Sequence, residues 1–485
     1  MGQAVSVPLW LFLVLAALAG WAALVLLLVP GMRWYFRGRV NRVIAQINRR
    51  LPVALPSFKL TRRRVLIDRL FHDAKVQAAA AAHARDSGEP LAETWTRVDR
   101  YAREIVPSFN AYVYFRIGYA LARSAARLMY RVRVGYLDEA ALARVAPESS
   151  IVFVMNHRSN MDYVLVAFLA AERVALSYAV GEWARVWPLQ QLIKAMGAFF
   201  VRRNSGDPLY RVVLARYVAM ATEAGVPQAM FPEGGLTLDG ALRAPKFGLL
   251  DYMLKGFDER EGEGRRDLVF IPVGLNYDRV LEDRSQLGKL HPDRPRPGRL
   301  RALATTLSFM GRNLWQMITG EWHRFGYACV NFGSPVSMRT LARTHGWTFH
   351  DMDEATRRAV VPDVARRLMD AIGGVIPVLP VSLVASLMVE APGRAWSELE
   401  LKAAALARMG EFEAAGAHTY IPRQDQDYAF GVGLRMLLLR RLVEERDGLY
   451  RPVPDDLEVL AYYAKAITHL ARAGPAPMAA SSAAQ

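Results

Sequence analysis

Cysteine is almost missing from this chain. Of its 485 residues only Cys329 is a cysteine, which excludes an internal disulfide framework and a cysteine-held metal cluster, and suits a reducing compartment. Cys329 itself is expected to be a small buried hydrophobe. No internal repeat is visible. Charge is absent from the first 32 residues, and the apolar run over residues 7–29, about 23 residues, is long enough to cross a bilayer core. A basic opening segment and a small-residue cleavage site are absent too, which argues against a removed signal peptide. The positive charges follow the apolar run instead, as Arg33, Arg37, Arg39, Arg42, Arg49 and Arg50. That order predicts an uncleaved anchor in an inner membrane, with the rest of the chain in the cytoplasm.

What is abundant is positive charge. A formal net charge of +16 calls for an anionic partner: nucleic acid, a phospholipid surface or phosphorylated small molecules. No recognisable nucleic-acid module surrounds the basic residues, so nucleic acid is not expected as a partner. The chain is too long for one ordinary core. After the anchor at residues 1–32, a basic lead-in at 33–145 shows helical spacing, including "AREIVPSFNAYVYFRIGYALARSAARLMYRVRVGYL". Its arginines suit anionic headgroups, while Phe115, Tyr119, Leu121 and Leu128 face protein or lipid. Short β-rich runs then alternate with helical patterns: "SIVFVMNH", "VALSYAV", "GAFFVRR", "PQAMFPEGG", "DLVFIPVGLNY" and "RFGYACVNFGSPV". These predict an α/β domain at 146–338, a sheet flanked by helices. A helical C-terminal region is expected at 339–473 and a disordered tail at 474–485.

The chemistry centres on "VMNHRSNMDYVLV". A strand pattern ends before His157, and Asp162 follows five residues later as a helical pattern begins, with Ser159 or Asn160 as N-cap. Among nine histidines only His157 has an aspartate at that spacing. An imidazole steered by a carboxylate suits removal of a hydroxyl proton during acyl transfer. Ser159 lacks the G-x-S-x-G elbow that exposes an attacking serine, so direct transfer without an acyl-enzyme is expected. His157 has no second histidine or cysteine set nearby, so neither a metal nor another cofactor is expected. Arg202 and Arg203 end a strand pattern, where paired guanidinium forks suit a phosphate. The glycines of "FPEGG" let backbone approach a ligand, and Glu233 suits an acceptor hydroxyl or a brace for an arginine. Pro272 is expected to shape the site.

Taken in order, "NHRSNMD", "GAFFVRR", "FPEGG" and "FIPVGLNY" resemble the four blocks of the glycerolipid acyltransferase superfamily, across about 128 residues from 150 to 277. The "HRSNMDYVLV" wording, "ARLMYRVRVGY" and the distal "DDLEVLAYYAKAITHL" are more similar to its glycerol-3-phosphate and dihydroxyacetone-phosphate branch. The resemblance implies a catalytic pair, His157 and Asp162, with Arg202, Arg203, Glu233, Gly234 and Gly235 at the acceptor. It also implies acyl-CoA or acyl-carrier protein as co-substrate, a phosphorylated glycerol-type acceptor, and membrane phospholipid as surroundings. Lysophosphatidate and dihydroxyacetone phosphate stand as alternative acceptors. An inert, basic, membrane-tethered lipid-binding protein is the reading from another class. Where that branch has arginines after the EGG element, this chain has Leu236, Leu238 and Ala241; Arg243 and Lys246 are expected to supply the charge.

Overall fold

The computed structural model describes residues 56–170, 175–181, 189–202, 205–291, 293 and 325–471. The expected anchor at 1–32, Arg203 and the expected tail at 474–485 lie outside the described residues. Among the described residues no helix is long and apolar enough to cross a membrane.

One mixed sheet organises the molecule. Its strands are β1 (Arg131–Leu137), β2 (Ser150–Met155), β3 (Ser177–Val180), β4 (Phe199–Phe200), β5 (Gln228–Met230), β6 (Leu268–Tyr277), β7 (Tyr327–Phe332) and β8 (Val336–Ser337). Their order is β1-β7-β6-β2-β5-β3-β4, with β8 also beside β6. Strands β6, β2, β5, β3 and β4 run parallel, whereas β7 and β8 are antiparallel to β6. A parallel sheet needs both faces covered, and every residue of β2 and β6 is buried. Side chains of β2 alternate between two cores: Ile151, Phe153 and Met155 enter one, Val152 and Val154 the other.

Helices supply both covers. The principal ones are α1 (Tyr119–Met129), α2 (Met161–Ala170), α3 (Pro208–Glu223), α4 (Gly248–Leu254), α5 (Glu354–Gly374), α6 (Pro380–Glu390) and α7 (Leu457–Ala464). Residues from α1, α2, α6 and α7 fill the core with Phe153. Residues from α3, α4 and α5, with four helices of the lead-in between Ser57 and Ile105, fill the core with Val154. Pro272 stands inside central β6, where a missing N–H is normally excluded. It falls in a gap: β8 pairs with Val269 and Phe270, and β7 begins its pairing at Val273.

Two stretches read as helical are strands. Arg131–Leu137 belongs to the sheet as β1, parallel to β7, so the sheet begins before the expected boundary at 146. The helical spacing stops at Met129, and the alternation Arg131-Val132-Arg133-Val134 that follows has the period of a strand; mostly exposed, it suits a charged sheet edge. In the C-terminal region β9 (Trp396–Ser397), β10 (Val443–Arg446) and β11 (Leu449–Pro452) form a small antiparallel sheet among the helices. Asp447 and Gly448 turn the β10–β11 hairpin with φ of 53° and 72°, the left-handed pair that a tight hairpin demands.

Asp278, just beyond β6, ties that strand to β7. Its Oδ2 accepts the Tyr327 N–H at 2.7 Å, and Gly326 makes room for it, since a Cβ there would lie 2.5 Å from Asp278. Burial pushes this carboxyl up from its ordinary 3.8 to about 7. The fold therefore favours the neutral form. The stability it contributes is complete below about pH 4 and is lost as pH rises through about 7. Melting temperatures measured from pH 4 to 7 should show a decline that Asp278→Asn reduces; an identical slope in the variant would remove Asp278 from the account.

Candidate active site

The C-terminal ends of the parallel strands converge, and the loops leaving them carry the site, as expected of an open α/β sheet. The first loop, residues 156–160, leaves β2 and enters α2. Asn156 starts it with a side chain that imitates a strand. Its Oδ1 accepts the Leu275 N–H at 2.7 Å and its Nδ2 donates to the Leu275 carbonyl at 2.9 Å, extending the β2–β6 ladder. His157 follows, and its Nδ1 lies 2.8 Å from Oδ2 of Asp162. The same Oδ2 accepts the N–H groups of Arg158 at 2.7 Å and Ser159 at 3.0 Å, while the Tyr277 hydroxyl donates to Oδ1. Four donors aimed at one side chain suit an acceptor-only carboxylate, so Nδ1 carries the proton and Nε2 is left as the base.

His157 and Asp162 are 1% and 0% exposed. The imidazole stacks on Phe231 at 3.9 Å and meets the edge of Tyr163 at 5.4 Å, which fixes the ring plane. It forms part of the wall of a cavity of about 600 Å³, within the range of small-molecule sites. Among the described residues no hydrogen-bond partner is recorded for Nε2.

The second loop, 231–247, follows β5 and is stitched to the first. Glu233 is 2% exposed; its Oε1 accepts the His157 N–H at 2.7 Å and its Oε2 the Arg243 N–H at 3.0 Å. It thus braces the backbone of both loops, with one backbone N–H on each oxygen. Burial pushes its carboxyl up to about 7 against the pull of those N–H groups and of Arg243. The Thr237 N–H donates to the His157 carbonyl at 2.9 Å, completing a two-way tie. Gly234 adopts φ 67° and Gly235 is buried, and both line the cavity. The Gly234 N–H is engaged by the Phe231 carbonyl at 3.0 Å. The Gly235 N–H has no recorded acceptor among the described residues and remains the one of the pair available to a developing oxyanion.

The expected cations divide. Arg202, Arg243 and Lys246 all line the cavity. Arg202 is gripped by a carboxylate that the motifs did not foretell: its Nε and Nη2 meet the two oxygens of Glu104 at 2.9 and 2.5 Å, and Tyr101 and Tyr210 flank the guanidinium. The hydrogen bond to Glu104 holds its pKa above the ordinary value. Arg243 directs Nη1 to the Leu236 carbonyl at 2.9 Å, and Lys246 is exposed with no recorded side-chain partner among the described residues. Arg211 and Lys289, unforeseen from the motifs, stand in the same wall. Leu236 and Leu238 line it as well, so the chain is apolar where the resemblance led one to expect arginine. As for metal donors, one group among the described residues, Asp258, Glu259 and His350, brings ligand atoms within 4.8 Å of one another, and it takes no part in this cavity.

Two family models match in succession: an acyltransferase model over residues 139–276 and the glycerol-3-phosphate acyltransferase C-terminal region over 313–478. The chain carries an acyltransferase domain followed by a glycerol-3-phosphate acyltransferase C-terminal region. It is similar to curated glycerol-3-phosphate acyltransferases. That of Xanthomonas campestris pv. campestris is 29% identical over 373 residues, 75% of this chain and 40% of the relative. That of Xylella fastidiosa is 27% identical over 372 residues, 75% and 41%. That of Pseudomonas putida is 27% identical over 445 residues, 87% and 50%. The chain thus spans half or less of the length of these relatives. Among solved structures, a 1-acyl-sn-glycerophosphate acyltransferase from Thermotoga maritima aligns at 15% identity and TM-score 0.30, covering 64% of this chain and 96% of that one. A likeness that slight carries no argument.

Within the acyltransferase fold, one residue outside all four sequence blocks holds the His–Asp loop from behind. Glu282 accepts from the Ser159 hydroxyl at 2.8 Å with Oε2, and from the Asn160 N–H at 3.1 Å and Asn160 Nδ2 at 2.9 Å with Oε1. The segment between the base and its carboxylate is therefore clamped at both ends. Glu282→Ala should leave the protein folded and acceptor KM nearly unchanged but lower kcat, by about a hundredfold at most, because small misplacements of catalytic groups cost that much. Glu282→Gln keeps an acceptor for Asn160 and should recover most of the rate. Equal losses in the two variants, or a fall in melting temperature that accounts for the loss, would show Glu282 to be merely structural.

Proposed function

We propose that this protein transfers an acyl group from an acyl thioester to the hydroxyl of a phosphorylated glycerol-type acceptor, with glycerol-3-phosphate as the first candidate. The observation that carries the proposal is the buried His157–Asp162 pair in the wall of a cavity that also holds Arg202, Arg243 and Lys246. Nε2 of His157 takes the hydroxyl proton as the oxygen attacks the thioester carbonyl, and Asp162 stabilises the imidazolium. The tetrahedral oxyanion is met by backbone N–H, and the lining of the cavity by Gly235 supports that residue as the donor. Collapse expels the thiolate, which recovers the proton from His157, leaving ester and free thiol. The donor is acyl-CoA or acyl-carrier protein, and the product enters the adjacent leaflet of an inner membrane that the apolar run at 7–29 anchors.

The apolar wall at Leu236 and Leu238 favours a second acceptor, one that already carries an acyl chain, such as lysophosphatidate. Purified protein assayed with labelled acyl-CoA and acyl-carrier protein against glycerol-3-phosphate, dihydroxyacetone phosphate and lysophosphatidate separates these readings. Transfer to none of them would sink the proposal. His157→Ala should lose on the order of 10²–10⁴ in kcat while keeping its fold. If Arg243 and Lys246 hold the acceptor phosphate, their double replacement by Ala should raise acceptor KM strongly and leave donor KM alone; an unchanged acceptor KM removes them from the site.

A further inference from the structure

Three differently built faces run along the helical segment that precedes β1. It begins with a π-helical stretch, Val113–Gly118, and continues as α1. Tyr114, Gly118, Ala122 and Ala126 are buried and form the inner face. Ile117, Leu121 and Leu128, spaced by four and seven residues, form a second face that is apolar apart from Ser124, and they are 43%, 54% and 43% exposed. Arg116, Arg123 and Arg127, spaced by seven and four, form a third, also exposed. Tyr119 and Phe115, by contrast, are half-buried, packing on Phe168 and Tyr114.

We infer that this helix is a docking surface for an anionic phospholipid bilayer, with Ile117, Leu121 and Leu128 among the acyl chains and Arg116, Arg123 and Arg127 at the headgroup phosphates. An apolar row beside a row of guanidinium groups matches a boundary whose two layers are hydrocarbon and phosphate. Nucleic acid leaves the apolar row in water. A protein partner disfavours so much like charge at the centre of its interface. The uncharged run at 7–29 and the net charge of +16 suit the same kind of surface. The docking also orients the site: α1 packs on α2, through Tyr119 on Phe168 at 5.9 Å and Arg127 over the same ring at 5.6 Å, and α2 starts at the Asp162 turn. One helix layer, about 10 Å, then separates the helix carrying the His–Asp carboxylate from the lipid. The inference extends the membrane association proposed above but does not depend on the acyl-transfer chemistry.

The sequence makes the test direct. Cys329 is the single cysteine, is fully buried, and burial pushes its thiol up to about 12, so an introduced surface cysteine reacts alone. Full-length Leu121→Cys and Leu128→Cys, each carrying a fluorescent label, are reconstituted in vesicles of phosphatidylglycerol and phosphatidylethanolamine. A label at Leu399, which is 77% exposed, serves as control. Labels at 121 and 128 should be several-fold less quenched by aqueous iodide and several-fold more quenched by brominated lipid than the control. Adding Arg116→Glu and Arg123→Glu should reverse both changes. Iodide quenching equal to the control overturns the inference. So does shielding from both quenchers alike, which assigns the face to residues 1–32 of this chain or to a second copy. Acyl-transfer activity does not enter either readout, so this result and that of the acceptor assay stand apart.

Discussion

Everything at the site depends on the acceptor capacity of one carboxylate. Asp162 takes the imidazole Nδ1–H, two consecutive backbone N–H groups and a tyrosine hydroxyl, all without contact with water. In so dry a setting each unmade bond is expensive, and each made one is strong. The carboxylate therefore does two things at once: it folds residues 157–160 into a tight turn, and it selects the tautomer that leaves Nε2 without a proton. A turn that owes its shape to this carboxylate cannot rearrange without releasing the imidazole.

The remaining contacts make that turn part of a rigid frame. Asn156 and Tyr277 attach it to β6, Glu233 attaches it to the loop after β5, and Glu282 attaches its far side. The C-terminal region then holds Glu282's neighbour. Asp283 Oδ2 meets Arg440 at 2.5 Å and the Tyr463 hydroxyl at 2.6 Å, and that hydroxyl accepts the Val280 N–H at 2.9 Å. Helix α7 also presses on the 231–247 loop: Gly240 has φ 91°, and a Cβ there would lie 1.9 Å from the Tyr462 carbonyl. Arg158, next to the base and almost wholly buried, lies over the Tyr462 ring and donates to the Gly240 carbonyl at 3.3 Å. The region matched by the glycerol-3-phosphate acyltransferase C-terminal model is thus a buttress for the His–Asp loop as well as a cover for the sheet.

Burial sets the charge pattern around this frame. Glu233 and Asp278 are held up near 7 because each sits in a dry interior, whose effect outweighs the downward pull of the backbone N–H groups that donate to them. Arg202 shows the opposite case, a cation lining the cavity but already matched by Glu104. Among the described residues, Arg243, Lys246, Arg211 and Lys289 are the other positive side chains in that wall.

Local pattern made much of this legible. The six apolar runs named as strands are strands, because a strand buried on both faces writes itself as a short continuous apolar run, and the His–Asp spacing identified the turn because both members lie on one short loop. Where local pattern misleads, it does so for local reasons: the Arg-Val alternation of β1 follows directly on a long helical pattern, and the Asp-Gly hairpin signal of the C-terminal region lies between two helical ones. Glu282 and Glu104 could not be assigned to the site at all, since they reach it across 123 and 98 positions of chain. The sequence by itself determined the strands and the His–Asp turn, both of which depend on residues close together in the chain. Tertiary structure alone decided which carboxylates brace the turn, which arginine is already paired and which face of α1 is left open, because hydrogen bonds and burial join residues by distance in space.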